Sequence, residues 1–482
     1  MSSTPVRLIL RRLAAAVCLS LSLSAPLLSA AADPWKTWAP RPPMGWNSYD
    51  AYHGWINEAQ FKACVDKLAA DYLPFGWDTA VVDWSWYNPG PADWDRTKFR
   101  TFSIDQQRNP AGTFTPVLTM DAYGRLLPAL EKYPSAANGQ GFKPLADYVH
   151  RQGMKFGFHI MRGIPRQAVE ARLPILGSTQ TADQVALKDV LCGWNNNMFG
   201  LDATQPGAQA YYDSLFALYA GWGVDFIKAD DTMFPPYHAG EIEMMRKAID
   251  KCGRPILLSL SCGEAPLGRA PHVAAHANLW RISADFWDDW NALRRSFDLL
   301  NAWSAYAAPG TWPDADMIPL GRLCLTGYPG PGGQAPDGKH REHDSFFTPD
   351  EQQTLITLWC IGRSPLMWGG DPLTSSPATK ALLTNPEILA VSQQTTGNRQ
   401  AFDKFNARVW IADLPGSRDY YVALFNLNDT PAEITYLPAW ERRPGTNRVR
   451  DLWARADQGV VTGALKRTLP AHGSAIFRLS PE

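Results

Sequence analysis

Asp225-Phe-Ile-Lys-Ala-Asp230 and Leu279-Trp-Arg-Ile-Ser-Ala-Asp285 carry the pattern that sets the architecture of this chain. Each is a short apolar run that closes on a carboxylate. Such a run, bounded by polar residues, is the pattern of a strand buried on both faces. In a parallel barrel the C-terminal strand ends line the mouth, so an aspartate ending such a run stands where sites are built.

Six further segments repeat the pattern: Met44-Gly-Trp-Asn47, Ala80-Val-Val-Asp83, Met154-Lys-Phe-Gly-Phe-His159, Ile256-Leu-Leu-Ser-Leu-Ser261, residues 305–309 and Pro365-Leu-Met-Trp-Gly369. Between several of them, residues 58–72, 206–222 and 241–252 carry apolar side chains at helical spacing. Strand–helix alternation predicts parallel α/β structure, and eight units predict a closed (β/α)8 TIM barrel. The long, Pro-rich stretch 88–141 reads as an insertion after the second strand that helps to shape the cleft. Past Gln394 the texture changes to short strand-like runs at 407–412, 420–425, 433–436, 448–453 and 474–478, separated by turn residues. The expected organisation is a leader at 1–32, a catalytic barrel at 33–394 and an antiparallel β domain at 395–482.

The 46 basic and 47 acidic residues nearly cancel, which gives no footprint for a nucleic acid or other polyanion. The N-terminus has the anatomy of a secretory signal: Arg7, Arg11 and Arg12, then a short apolar stretch from Leu13 to Leu28, then Ala30-Ala31-Ala32 before Asp33. Its apolar part is short for a membrane span. Its removal takes three arginines and shifts the net charge from -1 to -4. Export to the periplasm or medium is therefore expected, with no membrane partner once the signal is gone. Cys64, Cys192, Cys252, Cys262, Cys324 and Cys360 are widely scattered, without a CxxC or Cys/His cluster, so no metal or other cofactor is expected. Oligomeric state is open.

Two carboxylates facing one pocket suit the cleavage of a glycosidic bond. In the retaining mechanism one attacks the anomeric carbon, and the other protonates the leaving oxygen and later deprotonates water. Strand alternation puts Lys228 on the face of Asp230, where an ammonium favours the carboxylate. The same alternation puts Arg281 on the face of Asp285. The ordinary alternative for a strand-end aspartate is a helix N-cap, the reading for Asp231, Asp288 and Asp289.

Five motifs in order now match a family: Pro42-Pro-Met-Gly-Trp-Asn-Ser48, Trp222-Gly-Val-Asp-Phe-Ile-Lys-Ala-Asp230, Trp280-Arg-Ile-Ser-Ala-Asp285, Pro309-Gly-Thr-Trp-Pro-Asp-Ala-Asp-Met317 and Ser364-Pro-Leu-Met-Trp-Gly-Gly-Asp371 with Leu383-Thr-Asn-Pro-Glu387. The chain resembles the retaining α-galactosidases of glycoside hydrolase family 27, the melibiase group. The resemblance implies a barrel followed by an antiparallel β-sandwich, Asp230 as nucleophile and Asp285 as acid/base. It further implies Trp46 stacking on the sugar ring, Asp83 binding hydroxyls, and Lys228, Arg281 and Asp316 completing the sugar subsite.

Four departures stand out. The family's two consecutive aspartates after strand two are here Asp83-Trp84, so Trp84 enters the pocket for the C5 substituent. Glu264, in Ser261-Cys-Gly-Glu-Ala-Pro266, stands in for the glutamate that reads the 2-hydroxyl. Cys262 and Cys192 align with disulfide cysteines of the animal enzymes, but Ala277 and Thr232 occupy the partner positions, so both bridges are expected to be absent. Phe158-His-Ile-Met-Arg-Gly-Ile-Pro-Arg166 replaces the usual third-strand ending; His159 and Arg162 either touch substrate or fix the loop. The leading expectation is an exo-glycosidase releasing terminal α-D-galactosyl residues from an oligosaccharide or polysaccharide. The alternative keeps the mechanism on β-L-arabinopyranosides, galactose without its hydroxymethyl group. A non-catalytic carbohydrate-binding protein is the distant alternative.

Overall fold

Eight parallel strands form the central sheet: β1 (Met44–Asn47), β2 (Thr79–Val82), β3 (Lys155–Met161), β4 (Phe226–Asp230), β5 (Leu257–Leu260), β6 (Leu279–Arg281), β7 (Trp312–Asp314) and β8 (Leu366–Trp368). They lie in the order β7-β6-β5-β4-β3-β2-β1-β8. The ring closes just past β7, where Ile318 bridges Trp368 in parallel and its amide donates to the Met367 carbonyl at 2.8 Å. This is the TIM barrel. The computed structural model describes residues 33–88, 118–192, 195, 197–233, 235–326 and 341–482. The expected leader and residues 89–117 of the strand-two insertion lie outside that range. The described end of the insertion packs on the barrel, with Leu118, Leu126 and Tyr133 in the core.

Side-chain parity explains both the core and the mouth. Inward positions low in the barrel are apolar: Val81, Phe226, Leu257, Leu279, Trp312 and Met367 form one buried cluster. Two residues on, the same face of each strand is polar or minimal: Asp83, Lys228, Ser259, Arg281, Asp314 and Gly369. Outward positions such as Ala80, Val82, Phe156, Phe158, Ile227, Leu258 and Trp280 belong to the larger core under the helices. The barrel therefore has an apolar floor and a polar mouth at its C-terminal end, as the fold requires.

The seventh strand is not at 305–309. Ser304–Tyr306 is a 3-10 turn, and the strand comes later, at Trp312–Asp314. Pro313 disguises it, yet it is tolerated. The Trp312 amide donates to the Asn278 carbonyl and the Asp314 carbonyl accepts from the Ile282 amide, at the two ends of β6, so Pro313 faces the β8 side, where pairing begins only at Ile318. β6 ends at Arg281, so Asp285 sits on a loop rather than on the strand, and alternation does not relate the two residues.

Among the surrounding helices, α1 (Glu58–Asp71) opens on a capping box of Asn57 and Gln60. Further round lie α2 (Lys143–Arg151), α3 (Pro206–Trp222), α4 (Ala239–Lys251), α5 (Ala270–His276), α6 (Trp290–Trp303), α7 (Pro349–Gly362) and α8 (Pro386–Gln394). Asp289 caps α6 by accepting from the Ala292 amide at 3.0 Å. Asp231 and Asp288 cap nothing: Asp231 pairs with Arg162, and Asp288 with His343.

After α8 the chain turns all-antiparallel. β9 (Thr396–Lys404), β10 (Ala407–Asp413), β11 (Tyr420–Asn426), β13 (Thr446–Asp451), β14 (Ala456–Thr462) and β16 (Ser474–Pro481) form one sheet in the order β9-β10-β11-β16-β13-β14, while β12 (Ala432–Tyr436) and β15 (Leu465–Leu469) form a second. Val409, Val422, Leu424, Ile434, Leu469 and Phe477 fill the space between. The β domain is anchored on α7 and α8: Trp453 Nε1 donates to Thr357 Oγ1 at 2.9 Å, and Arg450 pairs with Glu387 at 2.7 Å. No helix among the described residues is long and apolar enough to cross a membrane.

Candidate active site

Asp230 ends β4 at the barrel mouth and is buried. His159 Nε2, inward on β3, lies 2.9 Å from Asp230 Oδ2, and the Cys262 amide donates to Oδ1 at 3.1 Å. Burial pushes the Asp230 carboxyl up, but the hydrogen bond and charge of His159, the Lys228 ammonium and the Cys262 contact outweigh it and hold the pKa at about 2. The carboxyl is thus kept ionised. Arg162 sets the loop beyond it, bonding the Asp231 carboxylate at 2.8 Å and Glu241 at 3.0 Å, while Tyr212 donates to Glu241 at 2.7 Å. His159 touches the carboxylate itself, and Arg162 fixes the loop.

Lys228 shares the inward face with Asp230 and reaches Asp83 Oδ2 at 2.9 Å. Asn47 donates to the same oxygen at 2.8 Å, and the Trp84 amide to Asp83 Oδ1 at 2.7 Å. Burial raises the Asp83 carboxyl, yet Lys228, His159 and the Trp84 amide bring it below its ordinary value. Trp84 is buried beside it.

On the opposite arc Arg281 Nη2 holds Asp316 Oδ2 at 2.6 Å and stands 3.4 Å from Asp285 Oδ1. Asp316 has φ 89° and accepts from the Phe286 amide at 2.7 Å. Its burial pushes its carboxyl up to about 6 against the pull of Arg281. Asp285 differs from every other carboxylate here, because its side chain is 52% exposed and opens to solvent. Glu264 does not join this network; it pairs with Arg295 of α6. Neither Cys192 nor Cys262 is in a disulfide, nor are the other four described cysteines.

Residues 165–394 match the family model for α-galactosidase A, and residues 404–479 match that for the α-galactosidase C-terminal β-sandwich domain. A family 27 β-L-arabinopyranosidase of Geobacillus stearothermophilus is 43% identical, covers 94% of this chain and 99% of its own, and superposes with a TM-score of 0.85. The α-galactosidase A of Cellvibrio japonicus is 25% identical over 500 residues, 96% of this chain and 98% of that protein. The α-galactosidase of Cyamopsis tetragonoloba is 25% identical over 459 residues, 91% and 86% of the two chains. The chain belongs to glycoside hydrolase family 27. It is an α-galactosidase-like glycoside hydrolase.

The hydrolase departs from expectation at Trp46, which is wholly buried. Its Nε1 donates to the Gly370 carbonyl at 2.8 Å, and its ring packs near Tyr52 and Phe61. Parity gives the reason: Asn47 points inward to Asp83, so its neighbour Trp46 points out beneath α1. The aromatic ring at the mouth is Tyr49, half-buried, with the Lys228 ammonium 5.8 Å from its centroid. Sequence reasoning also missed Asp50 and Lys132. Asp50 Oδ2 is buried with no hydrogen-bond partner among the described residues, and burial, with Asp316 nearby, raises its pKa well above the ordinary range. Lys132, from the strand-two insertion, donates to the carbonyls of Gly54 and Ser85 at 3.0 and 2.7 Å. Burial brings its ammonium down to about 7. Gly54 lies against Trp84 so closely that a Cβ there would stand 3.0 Å from Trp84 Cε3. Lys132 therefore clamps the two loops that seat Trp84.

Proposed function

We propose that the enzyme is a retaining exo-glycosidase in which Asp230 attacks the anomeric carbon and Asp285 serves as acid/base. The observation that carries this is the contrast between the two carboxylates. Asp230 is buried and held ionised by His159, Lys228 and the Cys262 amide, whereas Asp285 stands exposed on the loop after β6, where leaving group and water arrive. Arg281 lies between Asp285 and Asp316 and steadies the acid/base without burying it. Glycosylation neutralises Asp230, and Asp285 then takes a proton from the incoming water.

For the sugar we infer β-L-arabinopyranose first and α-D-galactose second. Both share their ring hydroxyl configuration and differ at the C5 substituent. Trp84 fills the position of the second aspartate, and it is buried, clamped and bulky, which favours the sugar without a hydroxymethyl group. The 43% identity to the Geobacillus β-L-arabinopyranosidase supports the same choice. The α-galactosidase relatives support the second reading. Relative kcat/KM for the p-nitrophenyl β-L-arabinopyranoside and α-D-galactopyranoside tests it: a ratio favouring arabinopyranoside is expected, and a clear preference for galactoside overturns the choice of sugar. Export is also part of the proposal, and intact mass of protein from periplasm and medium tests it by showing a chain that begins near Asp33.

A further inference from the structure

Away from the barrel mouth, among the described residues, Glu243, His272 and His276 each offer one ligand atom within 4.8 Å of the others. Glu243 lies on α4, while the two histidines lie one turn apart on α5. Residues four apart share a helix face, the spacing by which paired histidines grip one ion. His272 Nε2 is 3.4 Å from Glu243 Oε1. Tetrahedral coordination with bonds of about 2.1 Å separates ligand atoms by roughly the same distance.

The far sides of both rings are already engaged. His276 Nδ1 meets the His272 backbone carbonyl at 2.8 Å, and a carbonyl only accepts, so the proton sits on Nδ1 and Nε2 keeps its lone pair. His272 Nδ1 lies 2.6 Å from the Tyr237 hydroxyl, which leaves its Nε2 turned to Glu243. Ligating imidazoles are typically held in this way, with the second nitrogen bonded to a carbonyl or hydroxyl. The rings are stacked, with centroids 4.3 Å apart and planes at 30°, so little side-chain ordering remains to be lost. Lys247 is the competing cation, 3.7 Å from Glu243 Oε2, but its side chain is 66% exposed and free to swing away.

We propose that Glu243, His272 and His276 form a zinc-class metal site that clips α4 to α5 on the outside of the barrel. Two imidazoles and one carboxylate select a borderline transition metal over calcium or magnesium. The ion takes no part in glycoside cleavage. It ties together the helices that follow β4 and β5, the strands that lead to Asp230 and to the Cys262 amide.

Calorimetric titration of the chelator-treated full chain with zinc chloride alone tests this. One saturable ion per chain is expected, with a Kd below about 100 µM. His276→Gln and Glu243→Gln should each weaken binding at least tenfold, and Tyr237→Phe, which leaves all three ligands in place, roughly tenfold. Hydrolysis of the aryl glycoside should be unchanged in all three variants. Absence of saturable binding, or equal affinity in the ligand variants and the parent, overturns the site. Cobalt substitution supplies a second readout: a thiolate charge-transfer band would assign the ion to a cysteine and refute the proposal.

Discussion

Replacing His159 by Leu should cost the enzyme its activity on the acid side. His159 Nε2 lies 2.9 Å from Asp230 Oδ2, and Asp230 titrates at about 2 against an ordinary 3.8. That gap corresponds to roughly 2.5 kcal/mol favouring the ionised nucleophile. With His159 gone, the burial that raises the pKa remains, opposed by Lys228 and by the Cys262 and Asp231 amides that donate to Oδ1. The acid limb of kcat/KM should then climb by about two pH units or more, so that activity at about pH 4 falls well below its value at about pH 6. His159→Gln keeps an N–H donor and should recover part of the loss. Stability follows with a definite sign. A depressed carboxyl pKa contributes stability that is present above 3.8 and lost as pH falls through about 2. The Leu variant should therefore be less stable at neutral pH and should lack that acid-side decline. An acid limb that stays where the parent has it would refute the assignment of His159 as the group that keeps Asp230 ionised.

Trp84→Asp should raise the galactoside-to-arabinopyranoside ratio of kcat/KM about tenfold, read with paired aryl glycosides; an unmoved ratio would remove Trp84 from specificity. Gly369→Ala places a Cβ 1.8 Å from Asp50 Oδ2, inside the buried mouth. Its denaturation midpoint should fall by the equivalent of about 1–3 kcal/mol, and an unchanged midpoint would mean that Asp50 moves freely. Lys132→Met strips two buried carbonyls, those of Gly54 and Ser85, of their donor. About 2–3 kcal/mol of stability should be lost, together with a raised KM for arabinopyranoside as Trp84 loosens; loss of stability with KM unchanged would make the clamp purely structural.

The barrel was legible because its strands are apolar runs ending on polar residues, and parity alone fixed Lys228 and Asp230 on one face. The same parity, applied to Met44-Gly-Trp-Asn47, turns Trp46 outward once Asn47 is known to meet Asp83, and that contact joins residues 36 apart in sequence. β7 was hidden by Pro313, whose missing amide matters only if the neighbouring strand pairs there. β9, β14 and β15 were missed because their exposed faces are polar, as in Ala456-Asp-Gln-Gly459, without the apolar run that marked β10 and β11. Tyr49, Asp50 and Lys132 gave no sequence signal, since Tyr49 and Asp50 lie on a short helix at the mouth, Tyr49–Tyr52, and Lys132 reaches Gly54 and Ser85 from the insertion. The Glu243–His272–His276 cluster was invisible for a similar reason: its carboxylate lies 29 residues from the first histidine, on the neighbouring helix.

In the proposed mechanism Asp230 forms the covalent glycosyl intermediate. Trapping with an activated 2-deoxy-2-fluoro arabinopyranoside, followed by peptide mass mapping, tests it directly. One added sugar per chain is expected, located on Asp230, with no trapping in Asp230→Ala. A label on another carboxylate, or hydrolysis with inversion and no trapped species, would contradict it.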